Sequence, residues 1–267
     1  MPFSLFPFLA FIAYSVAALV VAQRLYHAEG PRLKVVFSAA TLGVVLHMLA
    51  LSQSLFTQDG QNFSLINVSS LVCWLITLSF TITALRTPIL LLLPIIYGFA
   101  AIIQLLVALL PSGVQMHHFE QSPWLLSHIL IAFITYVILI MATLYSFQVS
   151  YISHKLKQKA PLATGTVLPP LVQAEQLLFR LVSLGTVLLA VTLISGAIFG
   201  ENFFALQNLH KNVLSLLAFV GYLTLLIGNW RAGWRGRLAN ILLVIASVLL
   251  TLAYFGSRFV REVLLNQ

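Results

Sequence analysis

The chain has 267 residues, 60% of them hydrophobic and only 7% charged; with a mean hydropathy of +1.02 it has too few charges to cover the surface of a water-soluble globule, and lipid is its solvent. The formal net charge of +8 does not point to nucleic acid, because the basic residues are scattered through short connections where membrane orientation accounts for them. A crossing takes roughly 20 apolar residues, so about eight crossings use about 160 residues and leave no room for a soluble domain.

Apolar runs between polar or Gly/Pro breaks predict an all-α, polytopic membrane helix bundle forming one domain over 1–267. The first run, 3–22, follows Met1 and Pro2 with no basic leader and is itself followed by Arg24, so it reads as a retained helix and not as a signal peptide. The next runs cover 35–56, 64–85, 88–110 and 123–152. A solvated loop is expected over 153–175, where Lys155, Lys157, Lys159 and three prolines interrupt the pattern. The last three runs are 177–199, 205–228 and 238–255.

Arg24, Arg32, Lys34, Arg86, Lys155, Lys157, Lys159, Arg180, Arg231, Arg235 and Arg237 all fall on one alternating side of these spans, which marks that side as cytoplasmic and puts both termini on the outer face. Lys211, Arg258 and Arg261 fall on the other side with Asp59, Glu120, Glu201 and Glu262. Trp124, Trp230 and Trp234 lie at span ends and suit an interfacial aromatic belt, while Trp74 lies within a span. The single Cys73 sits in an apolar run, which excludes an intrachain disulfide and thiol exchange through a CxxC motif.

Histidines carry the functional signal. An ionisable side chain within a span is expensive toward lipid and is a functional candidate; His47, His128 and His210 meet that description. His128 and His210 lie within a turn or two of the outer ends of their helices, and His47 lies about 13 Å inside its own at 1.5 Å per residue. Helical spacing puts His47 on one face with Ala40, Gly43 and Ser54, His128 with Ala132, Thr135, Ala142 and Ser146, and His210 with Gly221 and Gly228. Small residues permit close helix approach, so all three stripes are expected to face the bundle interior. Converging neutral imidazoles can ligate a metal or haem iron, with Lys211 placed for a haem propionate; the competing reading is that each imidazole hydrogen-bonds a neighbouring helix and serves packing. His117 and His118 form a pair in the outer connection after Pro111 and read as loop polarity, and His27 and His154 sit beside basic residues at the cytoplasmic side.

Several stretches resemble the cytochrome c assembly superfamily of membrane haem-handling proteins, with its CcsA, CcmC and HemX branches, and over the whole chain its small YpjD-type members. They are Ser127-His128 opening a long helix with Tyr136 and Tyr145, then Gly200-Glu201, His210-Lys211, Gly233-Trp234-Arg235-Gly236-Arg237, and the closing run from Leu252 to Val260. The resemblance implies a bacterial inner-membrane protein in which an external histidine at a helix start, matched by His128, ligates haem. The tryptophan-rich outer segment of the superfamily corresponds to 200–211, which contains no Trp, and the last outer segment contains no His. His210 stands in as second ligand by position and chemistry.

The expected function is therefore binding or handling of haem b near the outer face through His128 and His210, with His47 as an alternative ligand and Lys211 for the propionates, in support of cytochrome c assembly. No acid and base constellation or reactive thiol suggests a covalent step by this chain. The bilayer and other assembly proteins are the expected partners. The alternative is a HemX-like regulatory or interaction protein that has lost haem; a transporter is disfavoured by the lack of any carboxylate within the runs.

Overall fold

The computed structural model describes residues 5–25, 27, 29–57, 60–110, 116–117, 123–158, 169–199 and 206–260. Gly200, Glu201, His118, Glu120, Asp59, Lys159, Arg261 and Glu262 lie outside them. The described chain is almost wholly helical: α1 (Leu5–Arg24), α2 (Leu33–Leu55), α3 (Leu65–Ala84), α4 (Leu93–Leu109), α5 (Pro123–Lys157), α6 (Leu171–Phe199), α7 (Leu206–Ala232) and α8 (Arg237–Thr251). Seven helices are long and apolar enough to cross a membrane, and α4 is a shorter apolar helix. The expected all-α polytopic bundle is what forms.

Three boundaries differ most from the sequence reading, by five or six residues. The fourth helix begins at Leu93, not at 88. Pro88 disfavours helix in the residue before it, a turn closed by Leu92 N–H to the Ile89 carbonyl at 3.0 Å follows, and the missing N–H of Pro94 suits a first helical turn. α5 runs on to Lys157, because its lysines reach water from the end of a helix without breaking it. α6 starts at Leu171, directly after Pro169-Pro170, so Glu175 lies on this helix and not in the loop expected over 153–175. Past α8 the helix continues as a π turn, Leu252–Gly256, and a last short piece, α9 (Ser257–Phe259).

Two compact units divide the chain. The first runs from Met1 to His118 and includes His154–Pro169; the second is Phe119–Ser153 with Pro170–Gln267. In the first unit α1 packs along both α2 and α4, and α3 joins α2 to α4. Its packed faces carry small residues: Ala10, Ala13 and Ala17 on α1, Ala40 and Gly43 on α2, and Ala100 and Ala101 on α4 are buried, which lets backbones approach closely without a hydrophobic drive between helices. A small antiparallel sheet with strand order β1-β2-β3 joins β1 (Phe56–Thr57), β2 (Gly60–Asn62) and β3 (Met116–His117). His117 is thus part of a strand backbone.

In the second unit α7 packs on α6 and α8. α5 is tied to α8 by hydroxyl pairs, Thr143 with Ser247 and Tyr136 with Thr251 at 3.0 Å. Tyr222 of α7 reaches the same Ser247 hydroxyl at 2.7 Å. The closing aromatic run of the sequence grips α5: Phe133 meets Tyr254 edge-on at 6.0 Å and Tyr136 meets Phe255 at 5.6 Å.

Candidate functional site

One end of the second unit brings together the start of α5, the end of α6 and the start of α7. His128 lies in the second turn of α5, half-buried, and its Nδ1 is 2.8 Å from the Ser195 hydroxyl near the end of α6. With the Ser195 hydroxyl also placed to donate to the Thr192 carbonyl at 3.0 Å, the arrangement that satisfies both contacts has the imidazole proton on Nδ1, donating to Ser195. Nε2 then presents a lone pair, with no protein hydrogen bond to it among the described residues. A hydrogen bond from one ring nitrogen that fixes the tautomer and leaves the other free is how proteins orient metal-ligating histidines.

Gly196 makes room for the ring. A Cβ at that position would sit 3.1 Å from His128 Cε1, so the imidazole lies against bare backbone. Two turns further along α5, Thr135 donates to the Ile131 carbonyl and faces Thr192 at 3.3 Å, continuing the same seam. Lys211, in the second turn of α7, lies within electrostatic range of the His128 ring. The expected inward face of the His128 stripe is found, with Thr135, Ala142 and Ser146 buried.

His210 sits differently. It is exposed at the start of α7, although Gly221 and Gly228 share its helical face. Those glycines serve other neighbours further along the helix: a Cβ on Gly221 would meet Ala246 Cβ at 3.2 Å, and one on Gly228 would overlap the Trp234 ring. The small residues therefore report packing of α8 and of the α7–α8 turn, not a packed environment at His210.

His47 belongs to the first unit and is fully buried there. Its Nε2 is 2.9 Å from the Ser70 hydroxyl and its Nδ1 is 3.3 Å from the Tyr14 hydroxyl. Gln104 Nε2 donates to the Ser70 oxygen at 3.1 Å, and Tyr14 continues to Thr77 at 3.4 Å. The arrangement that uses every proton has Ser70 donating to Nε2, Nδ1–H donating to Tyr14, and Tyr14 donating to Thr77, whose own hydroxyl turns to the Cys73 and Trp74 carbonyls at 2.9 Å. Both ring nitrogens are thereby occupied. Gly43 lets Tyr14 lie close, since a Cβ there would stand 2.8 Å from its ring.

No group of three or more His, Cys, Asp or Glu that could hold a metal occurs among the described residues. The sequence reading missed the partners, Ser195 and Gly196 for His128 and Ser70 and Gln104 for His47. Gln104 alone offered a signal, as an amide in the middle of an apolar run.

A polytopic helical membrane protein with an oriented, half-accessible imidazole at one end of a helical unit is the class defined by these features. The chain belongs to the family described as "Cytochrome C assembly protein", whose profile matches residues 35–265. It is 38% identical over 261 residues to the "Inner membrane protein YpjD" of Escherichia coli (strain K12), covering 97% of this chain and 98% of that protein. The YpjD protein of Escherichia coli O157:H7 gives the same figures, 38% identity, 97% and 98% coverage. An "Uncharacterized 28.8 kDa protein in nifR3-like 5'region" of Azospirillum brasilense is 37% identical over 145 residues, 54% of each chain. No solved structure matches the chain.

Proposed function

We propose that this protein is a haem-handling component of cytochrome c assembly in the bacterial inner membrane, holding haem b near the outer face with His128 as the iron ligand. The observation that carries the reading is the His128–Ser195 hydrogen bond at 2.8 Å, which commits Nδ1 and leaves Nε2 of the half-buried ring as the atom for a ligand bond. Family membership and the match to proteins named as inner membrane proteins support it.

The donor set fits the group. A neutral imidazole is an ordinary haem ligand, Gly196 leaves a flat wall beside it, and the Lys211 ammonium offers charge for a propionate. His210, exposed on the same end of the unit, is the second candidate ligand. Bound haem would supply the redox-active iron; the chain's own residues would hold and present it. His47 remains the alternative ligand only if its two hydrogen bonds are given up, so in this reading it organises the first unit.

Titration of haemin into the detergent-purified protein tests the reading. The wild type is expected to develop a Soret band at stoichiometric haem, His128→Ala to bind at least about tenfold more weakly, a loss of about 1.4 kcal/mol or more, and His47→Ala to keep its spectrum once folded protein is selected. A second reading is favoured by the absence of Trp from 200–211: a HemX-like regulatory or interaction protein without haem. A wild type that stays colourless and takes up no haemin would decide for it.

A further inference from the structure

The opposite end of the second unit carries a separate polar cleft. Val172, Glu175, Gln176, Phe179, Arg180 and Ser183 recur at intervals of three and four along α6 and so line one helix face. Asn229 at the end of α7 and Arg235 in the α7–α8 turn close the opposite wall around a volume of about 520 Å³.

The turn that supplies Arg235 is built to hold it. The Trp234 ring fills the space over Gly228, where a Cβ would overlap it. Trp234 N–H donates to the Gly228 carbonyl at 3.1 Å, and Asn229 Nδ2 donates to the Trp234 carbonyl at 3.0 Å. Gly233 and Gly236 on either side have φ of 63° and 67°, a left-handed conformation that glycine adopts without strain. The Gly-Trp-Arg-Gly run is therefore a rigid bracket that presents one guanidinium to the cleft.

Charge in the cleft does not balance. The Glu175 carboxylate, only 16% exposed, lies 3.6 Å from Arg235 Nη1. Arg180, one turn along α6 from Gln176, brings a second guanidinium to the same space. Two cations against one carboxylate leave a surplus of one positive charge, accompanied by neutral donors from Gln176 and Ser183. Planar guanidinium forks match phosphate oxygens bidentately. Below Ser183 the same face of α6 continues as exposed Val187, Val191 and Ile194, an apolar track suited to an acyl chain.

We propose that this cleft binds the phosphodiester headgroup of an acidic phospholipid, with its phosphate between Arg180 and Arg235 and a chain along α6. A single negative charge would neutralise the surplus, and basic pockets at helix ends are a recognised form of acidic-lipid site.

Delipidated protein in detergent is titrated with phosphatidylglycerol, with phosphatidylcholine of the same chains, and with inorganic phosphate, and bound lipid is read by native mass spectrometry. Phosphatidylglycerol is expected to bind at least about tenfold more tightly than phosphatidylcholine, and the double variant R180Q/R235Q to lose that preference. Glu175→Gln leaves both arginines unneutralised and is expected to bind phosphatidylglycerol more tightly than the wild type, which tests the site even if the double variant does not fold. Inorganic phosphate at millimolar concentration is expected not to displace the lipid; displacement would overturn the lipid in favour of a free phosphate. Equal affinity for the two lipids, or weaker binding by Glu175→Gln, would overturn the site itself.

Discussion

Two histidines of the same chain are used in opposite ways. His47 has both ring nitrogens bonded and no exposure, whereas His128 has one nitrogen bonded and an open side. The difference predicts different mutant behaviour. His47→Leu strips Tyr14 and Ser70 of their partner in a dry interior and should cost about 1–3 kcal/mol, seen as a clear fall in the apparent Tm in detergent; an unchanged Tm would show that the buried chain of hydrogen bonds contributes nothing to stability. That His47 faces inward was legible from Ala40 and Gly43 on its own helix. Its tie to Ser70 and Gln104 was not, because periodicity reports which side of a helix is packed and not which residue of another helix meets it.

At the level of elements, small residues carry more than one meaning. Gly43 makes room for the Tyr14 ring beside His47 and Gly196 for the His128 ring itself, but Gly228 makes room for Trp234 of its own turn. The helical stripes read Gly43 and Gly228 alike, so they pointed the face of His210 inward although that residue is exposed. Gly228→Ala should lower the apparent Tm by pushing Trp234 off the end of α7, at a cost of about 1–3 kcal/mol for overpacking. Gly98→Ala, where nothing lies within 4 Å of the added atom, should leave it level or slightly raised, since Ala is the better helix former. Equal effects from the two substitutions would remove the bracket from the account. The helix count was legible because each apolar run is long. The π turn at Leu252–Gly256 was not, since nothing in its apolar run marks where the hydrogen-bond register changes.

For the whole molecule, composition pointed to a membrane protein and the long uninterrupted apolar runs to helices, because a lipid solvent admits only helices and closed barrels and barrel strands are short and alternating. Orientation rests on the distribution of Lys and Arg, and it predicts labelling. Cys73 is buried and should stay silent to a membrane-impermeant thiol reagent. With that background, Lys211→Cys should be labelled in intact cells and Lys155→Cys only after the membrane is opened; the reverse pattern would invert the protein in the membrane and place His128 on the cytoplasmic side.

Chemical rescue of the proposed ligand tests the central claim most directly. His128→Gly, purified and supplied with haemin, should lack the Soret and reduced haem b bands of the wild type, and added imidazole should restore them by occupying the vacated position. A wild-type spectrum in His128→Gly before imidazole is added, or a wild type that binds no haem at all, would contradict ligation by His128.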